Sequence, residues 1–187
     1  TMKAGGIKNN GALTHGGGIL VDGANVTLSL QGGVIESNYA PNGGGVAIMN
    51  CKKAEMTGGS ITANKAYKKG LTSAQIDALS SGALGGGVYV ATSKAFTLAG
   101  GEISNNEARF GSGVFLYSAA SNATTLNFNG GSIADNIAIG NNKTTITDID
   151  GGSGTKNSMG KVIYANEALK TSMAGKVTRC VEEIKSN

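Results

Sequence analysis

GGSITANKA, residues 58–66, is the stretch whose reading decides the fold. Two glycines, then hydroxyls, an amide and a lysine have the look of a phosphate-binding loop. A phosphate cradle sets backbone amides at a helix start, usually with a following Lys and Ser or Thr. This stretch instead recurs along the chain: AGGIKNNGA at 4–12, GGVIESNYA at 32–40, GGEISNNEA at 100–108 and GGSIADNIA at 130–138. The copies start 28, 26, 42 and 30 residues apart and share the pattern GGxIxxNxA. Self-similarity at a near-constant period is the mark of a repeat architecture.

Two further motifs keep a fixed order around it. GGGILV starts at 16, GGGVAI at 43, GGGVYV at 85, GSGVFL at 111 and a decayed MGKVIY at 159. VTLSLQ (26–31), KAEMT (53–57), AFTLA (95–99) and TLNFN (125–129) precede the glycine pairs, and MKA (2–4) is in register with their ends. Each motif alternates with period 2, as a strand does. Valine, isoleucine and threonine suit a pleated, half-buried surface, and the intervening glycines and asparagines supply turns. Three strands per repeat describe one coil of a parallel β-helix, here about five coils with three parallel sheets. One coil cannot bury its own apolar face, so neighbours are needed. At about 4.8 Å per coil the stack is roughly 25 Å long.

The columns follow from the alignment. Ile7, Ile35, Ile61, Ile103 and Ile133 stack inward, as do Asn10, Asn38, Asn64, Asn106 and Asn136. Asparagine ladders stabilise stacked parallel strands. Ala12, Ala40, Ala66, Ala108 and Ala138 fit a tight corner. The outward residues of the opening stretch, Ser60, Thr62 and Lys65, share no chemistry with their counterparts in other coils.

The whole chain, 1–187, reads as one β-helix domain and a fragment of a longer protein. Its coils run over about 2–165, with insertions at 67–84 and 139–158 and a C-terminal cap at 166–187. In the first insertion Thr72 and Gln75 form a capping-box signal, and Ile76 and Leu79 share a face, so a short helix is expected. The second reads as a polar loop. Insertions in solenoids map to loops on one face, often the binding face.

Composition narrows the function classes. The 187 residues include 31 glycines, one proline and no tryptophan, with a net charge of +4. Basic residues are scattered, with no basic stripe interleaved with aromatics, so no nucleic-acid partner is expected. No run of about 18 apolar residues exists, so no transmembrane segment is expected. Cys51 and Cys180 lie in distant coils and frame neither a disulfide scaffold nor a zinc site. His15 reads as an exposed turn residue. Acids do not line up on adjacent coils: Glu36 follows the isoleucine position, Glu102 precedes it and Asp135 lies two after. Paired-carboxylate hydrolysis needs two carboxylates about 5–9.5 Å apart. No catalytic residue, no cofactor and no enzyme activity are therefore expected. Asp148 and Asp150 in TDIDGGSG are weak calcium candidates, but the EF-hand pattern fails at Gly152 and Met159.

One surface feature stands out. In the GGGV strands the first and third apolar positions point inward, so Leu20, Ala47, Tyr89, Phe115 and Ile163 point outward. An apolar stripe of this length reads either as a docking face, with Leu20, Tyr89, Phe115 and Ile163 as ligand-binding residues, or as a surface covered by the 67–84 helix or the C-terminal segment.

GGGVYV (85–90), ITAN (61–64) and ISNN (103–106) resemble the repeats of polymorphic outer-membrane proteins and related autotransporter-like bacterial surface adhesins. The resemblance implies a right-handed parallel β-helix displayed outside a bacterial cell, surface-anchored or secreted. The expected function is a non-enzymatic, adhesin-like display and binding scaffold for a host or matrix protein or a glycan. The alternative is a carbohydrate-active enzyme or sugar-binding module of the pectin-lyase-like class.

Overall fold

A computed structural model describes residues 1–79, 81–92, 95–117 and 124–139, and the backbone of short strands at 149–151, 163–165 and 180–182. In chain order the elements are β1 (Gly6–Lys8), β2 (Ile19–Asp22), β3 (Thr27–Leu30), β4 (Val34–Glu36), β5 (Val46–Met49), β6 (Lys53–Thr62) and α1 (Ser73–Asp77). Then come β7 (Val88–Ala91), β8 (Ala95–Ser104), β9 (Glu107–Ala108), β10 (Val114–Tyr117), β11 (Thr125–Ala138), β12 (Ile149–Gly151), β13 (Ile163–Ala165) and β14 (Cys180–Glu182). The pairings between them are parallel, and they link strands one coil apart. One sheet runs β1-β4-β6-β8-β11-β14, with β3 on β6 and β9 on β11. The other runs β2-β5-β7-β10-β13-β12. The protein is an all-β solenoid of stacked coils, about four turns from Ile7 through Ile35, Ile61 and Ile103 to Ile133.

Register follows the repeat. Met2 bridges Leu30, which pairs with Met56, then Leu98, then Phe128. These residues line one continuous core with the isoleucine column and the inward residues of the GGGV strands. Ile35, Ile61, Ile103 and Ile133 are at most 2% exposed. Burying such a side chain contributes about 1.5–3 kcal/mol, which no coil could secure alone.

Two expectations are corrected. The strands expected on either side of each glycine pair run on as one in the middle coils, because β6, β8 and β11 pass unbroken through the pair. The pair bends the strand and shifts its register between Thr57 and Ser60, and between Phe128 and Ser132. The insertion read as a polar loop contributes a strand, since β12 pairs with β13. The segment read as a cap carries β14, which pairs with β11. Ile149, Val181 and their neighbours carry too short an apolar pattern to announce a strand without the sheet edge that receives them.

The first insertion leaves the stack after Ala66 and returns by Leu84, which is bridged to Asn42 and Phe110. The capping box forms as its sequence requires: Thr72 Oγ1 accepts from the Gln75 backbone N–H, and the Thr72 N–H donates to Gln75 Oε1. Ile76, 2% exposed, anchors the helix on Tyr67, Ala83 and Ile139.

Candidate functional site

The glycines prove to be answers to steric demands. Gly59 has φ +84°, and a Cβ there would lie 2.6 Å from the Gly33 carbonyl oxygen. In the GGG motif, a Cβ on Gly45 would meet the Gly87 oxygen at 2.7 Å, Ile61 Cγ2 at 2.8 Å and Asn64 Nδ2 at 3.0 Å. The third glycine therefore lies directly on the isoleucine–asparagine corner. The residue before each ladder asparagine is left-handed (Asn9, Ser37, Ala63, Asn105 and Asp135, φ 54–59°). That corner turns Asn38, Asn64, Asn106 and Asn136 into the core, while Asn10 at the first coil stays exposed. Asn64 Nδ2 donates to Asn106 Oδ1 at 3.0 Å and to the Ile35 carbonyl at 2.9 Å. Asn64 Oδ1 accepts from both the side chain and the backbone N–H of Asn38, each at 3.0 Å. The same links run from Asn10 to Asn38 and from Asn106 to Asn136. The ladder's amides are thus committed to the scaffold.

The outward stripe is largely buried. Leu20 is 52% exposed, but Ala47, Tyr89 and Phe115 are 0%, 8% and 4% exposed. Tyr89 stacks on Phe115, ring centroids 5.7 Å apart, and Met49, Leu84 and Phe110 pack against the same cluster. The described apolar side chain of helix α1, Ile76, packs on a different cluster with Tyr67, Ala83 and Ile139. The register places Ile163 beside Val114 and Tyr164 beside Phe115, one residue away from the pairing that the alignment of MGKVIY with GSGVFL gives. His15, expected to stand alone, has Nε2 3.3 Å from Asn42 Nδ2, and its ring lies 5.8 Å from that of Tyr89.

A groove of about 520 Å³ lies where the first insertion leaves the stack, within the ~300–1,000 Å³ range of small-molecule sites. It is lined by the left-handed corners Asn9, Ser37 and Ala63, by Tyr67, Lys69, Gly70 and Leu71 at the start of the insertion, and by a column of bridged residues, Tyr39, Lys65 and Glu107, one per coil. Glu107 Oε2 lies 3.1 Å from Lys65 Nζ and accepts the Tyr67 hydroxyl hydrogen. The Lys65 ammonium also lies 5.7 Å over the Tyr67 ring. Burial, reinforced by the Glu107 hydrogen bond and charge, holds the Tyr67 phenol well above its ordinary range. Lys69 lines the same groove and makes no ion pair among the described residues.

No repeated chemistry marks this column in the sequence. Read down the chain, the position before the motif's alanine gives Gly11, Tyr39, Lys65, Glu107 and Ile137. Unlike neighbours at about 4.8 Å are what an ion pair needs. The signal was opposite charge on adjacent coils, with an insertion starting beside it.

Asp150 lies in β12 opposite Tyr164, and Asp148 falls outside the described residues. Cys51 is buried, its thiol donating to the carbonyls of Val26 and Lys53. Among the described residues no three His, Cys, Asp or Glu converge on a common point, and no helix is long and apolar enough to cross a membrane. The fold is a β-solenoid, with a polar groove beside its first insertion. No family model, curated protein or solved structure matches the chain.

Proposed function

We propose that the protein is a non-enzymatic display and binding scaffold of the adhesin-like kind, carried on a bacterial surface or secreted. Its solenoid is right-handed, with five coils, and the groove at Tyr39, Lys65 and Lys69 is its ligand site. The observation that carries this reading is the division of labour between repeat and insertion. The repeated residues are committed to one another through the ladder and the glycine corners. The groove is built where the repeat is interrupted, and it leaves Lys69 unpaired among the described residues. Loops on a rigid scaffold are where binding residues concentrate. Among the described residues the groove has one carboxylate, Glu107, already engaged by Lys65 and Tyr67. That arrangement suits holding a ligand better than a two-carboxylate hydrolysis.

The test is an array of glycans and of matrix and host proteins, probed with the wild type and with Tyr39→Ala/Lys69→Glu. Capture of at least one ligand, reduced roughly tenfold or more in the double variant, is expected. Capture that the double variant leaves unchanged would remove the groove from the account. Turnover of a captured glycan would replace the scaffold reading with the enzyme one.

A further inference from the structure

We infer that the groove takes an acidic peptide segment, a short extended stretch carrying Asp or Glu beside an apolar residue. This rests on the reading of the groove as a ligand site and names its ligand class.

Charge is the first reason. Of the ionisable groups lining the groove, Lys65 and Lys69 outnumber Glu107. Lys65 is already held by Glu107, so the exposed Lys69 is the lining cation left to meet a ligand carboxylate. Such charge-assisted hydrogen bonds are the strong ones. Mixed donor and acceptor capacity is the second. Asn9 and Ser37 are exposed in the lining, and each side chain both donates and accepts, as a peptide unit requires. Their own hydrogen bonding is not drawn into the ladder, which takes the following residue in each coil. Apolar surface is the third. Leu71 and Ala63 line the groove and suit a small aliphatic side chain.

The aromatic rings argue against a saccharide. Tyr67 is 6% exposed and its hydroxyl is engaged by Glu107. The phenol end of Tyr39 lies so close over Gly11 that a Cβ there would be 2.1 Å from the ring. Neither ring stands free as a platform for a sugar face.

The experiment is an amide chemical-shift titration of the full chain with three probes. They are an acetylated Leu-Asp-Glu-Leu-Asp-Glu hexapeptide, its Asn/Gln isostere, and a uronic-acid tetrasaccharide. The acidic peptide is expected to shift Ser37, Tyr39 and Lys69–Leu71, with the isostere at least tenfold weaker. Lys69→Glu should weaken the acidic peptide at least tenfold. Lys68→Glu, an exposed neighbour outside the groove lining, should stay within threefold. Both lysines are exposed, so neither change threatens the fold. Equal binding of the isostere, or equal loss in the two lysine variants, overturns the assignment, the latter because it reports only net charge. Tighter binding of the tetrasaccharide at the same amides overturns the peptide class but leaves the groove as the site. Failure of all three probes to perturb the groove also overturns the class; the array with Tyr39→Ala/Lys69→Glu then decides the site separately.

Discussion

Asn64 shows how one residue type can hold a stack together. It is fully buried, and its amide joins three coils through Asn38, Asn106 and the Ile35 carbonyl. Asn64→Ala leaves several of those buried groups without a mate, each costing about 1–3 kcal/mol. A loss of about 3 kcal/mol or more is therefore expected in urea unfolding. Asn10 is exposed at the first coil, and Asn10→Ala should cost under about 1 kcal/mol. Equal effects would show that the ladder does not act as a buried network. The glycines separate in the same way. Gly45→Ala forces a Cβ onto the Gly87 carbonyl and should cost about 3 kcal/mol. Gly70 is the reverse case: its φ is positive, but a Cβ there meets nothing within 4 Å. Gly70→Ala should cost about 1 kcal/mol, the strain of the left-handed region alone. The ladder and the inward isoleucines were legible in the sequence, because stacking repeats the same demand in every coil. Lys65 and Glu107 were not, because complementarity between coils leaves no repeated letter.

The first insertion is an element held by specific groups. Helix α1 has five residues, too few to stand alone in water. It is fixed by the Thr72–Gln75 capping box, by Ile76 and, at its root, by the Tyr67–Glu107 hydrogen bond. The capping box and the spacing of Ile76 and Leu79 announce the helix. Where it docks was not legible, since Tyr67, Ala83 and Ile139 come together only in the folded stack. Tyr67 also gives the element a pH signature. Below about pH 10 its phenol is neutral in both the folded and the unfolded chain. Above that, the unfolded phenol ionises while the folded one keeps its proton, because burial raises its pKa. Stability therefore falls as pH rises beyond about 10, by up to about 1.4 kcal/mol per pH unit for this group. Tyr67→Phe removes that share. Tyr89, shifted the same way by burial, contributes equally to both proteins. Urea unfolding at pH 9 and 11 should show the wild type losing more stability than Tyr67→Phe. Parallel losses would mean that Tyr67 is not held neutral at the root of the insertion.

At the scale of the molecule, the account rests on coils that interrupt the chain but not the register. Parallel pairing carries Ser60 to Glu102 and Ile61 to Ile103 although 42 residues separate each pair, because residues 67–83 loop out of the coil. A solenoid of this kind is stabilised mainly by contacts between neighbouring coils, so its edges receive whatever short strands can pair there. That explains why β12 and β14 join the sheets without a clear signal of their own. It also explains how one cleft can be added to a rigid body without disturbing it: the insertion needs only to leave and return at adjacent corners. The register across that excursion is open to a direct chemical measurement. Paired strands place matched Cα atoms about 4.8 Å apart, inside the ~4.4–6.8 Å span of a disulfide. Ser60 and Glu102 are such a pair on the outer face, whereas Ile103 points into the core. With Cys51 and Cys180 replaced by serine, the S60C/E102C protein should oxidise to an intramolecular cross-link, read by mass spectrometry, and S60C/I103C should not. Cross-linking of the slipped pair, or of neither, would contradict the stacked-coil account.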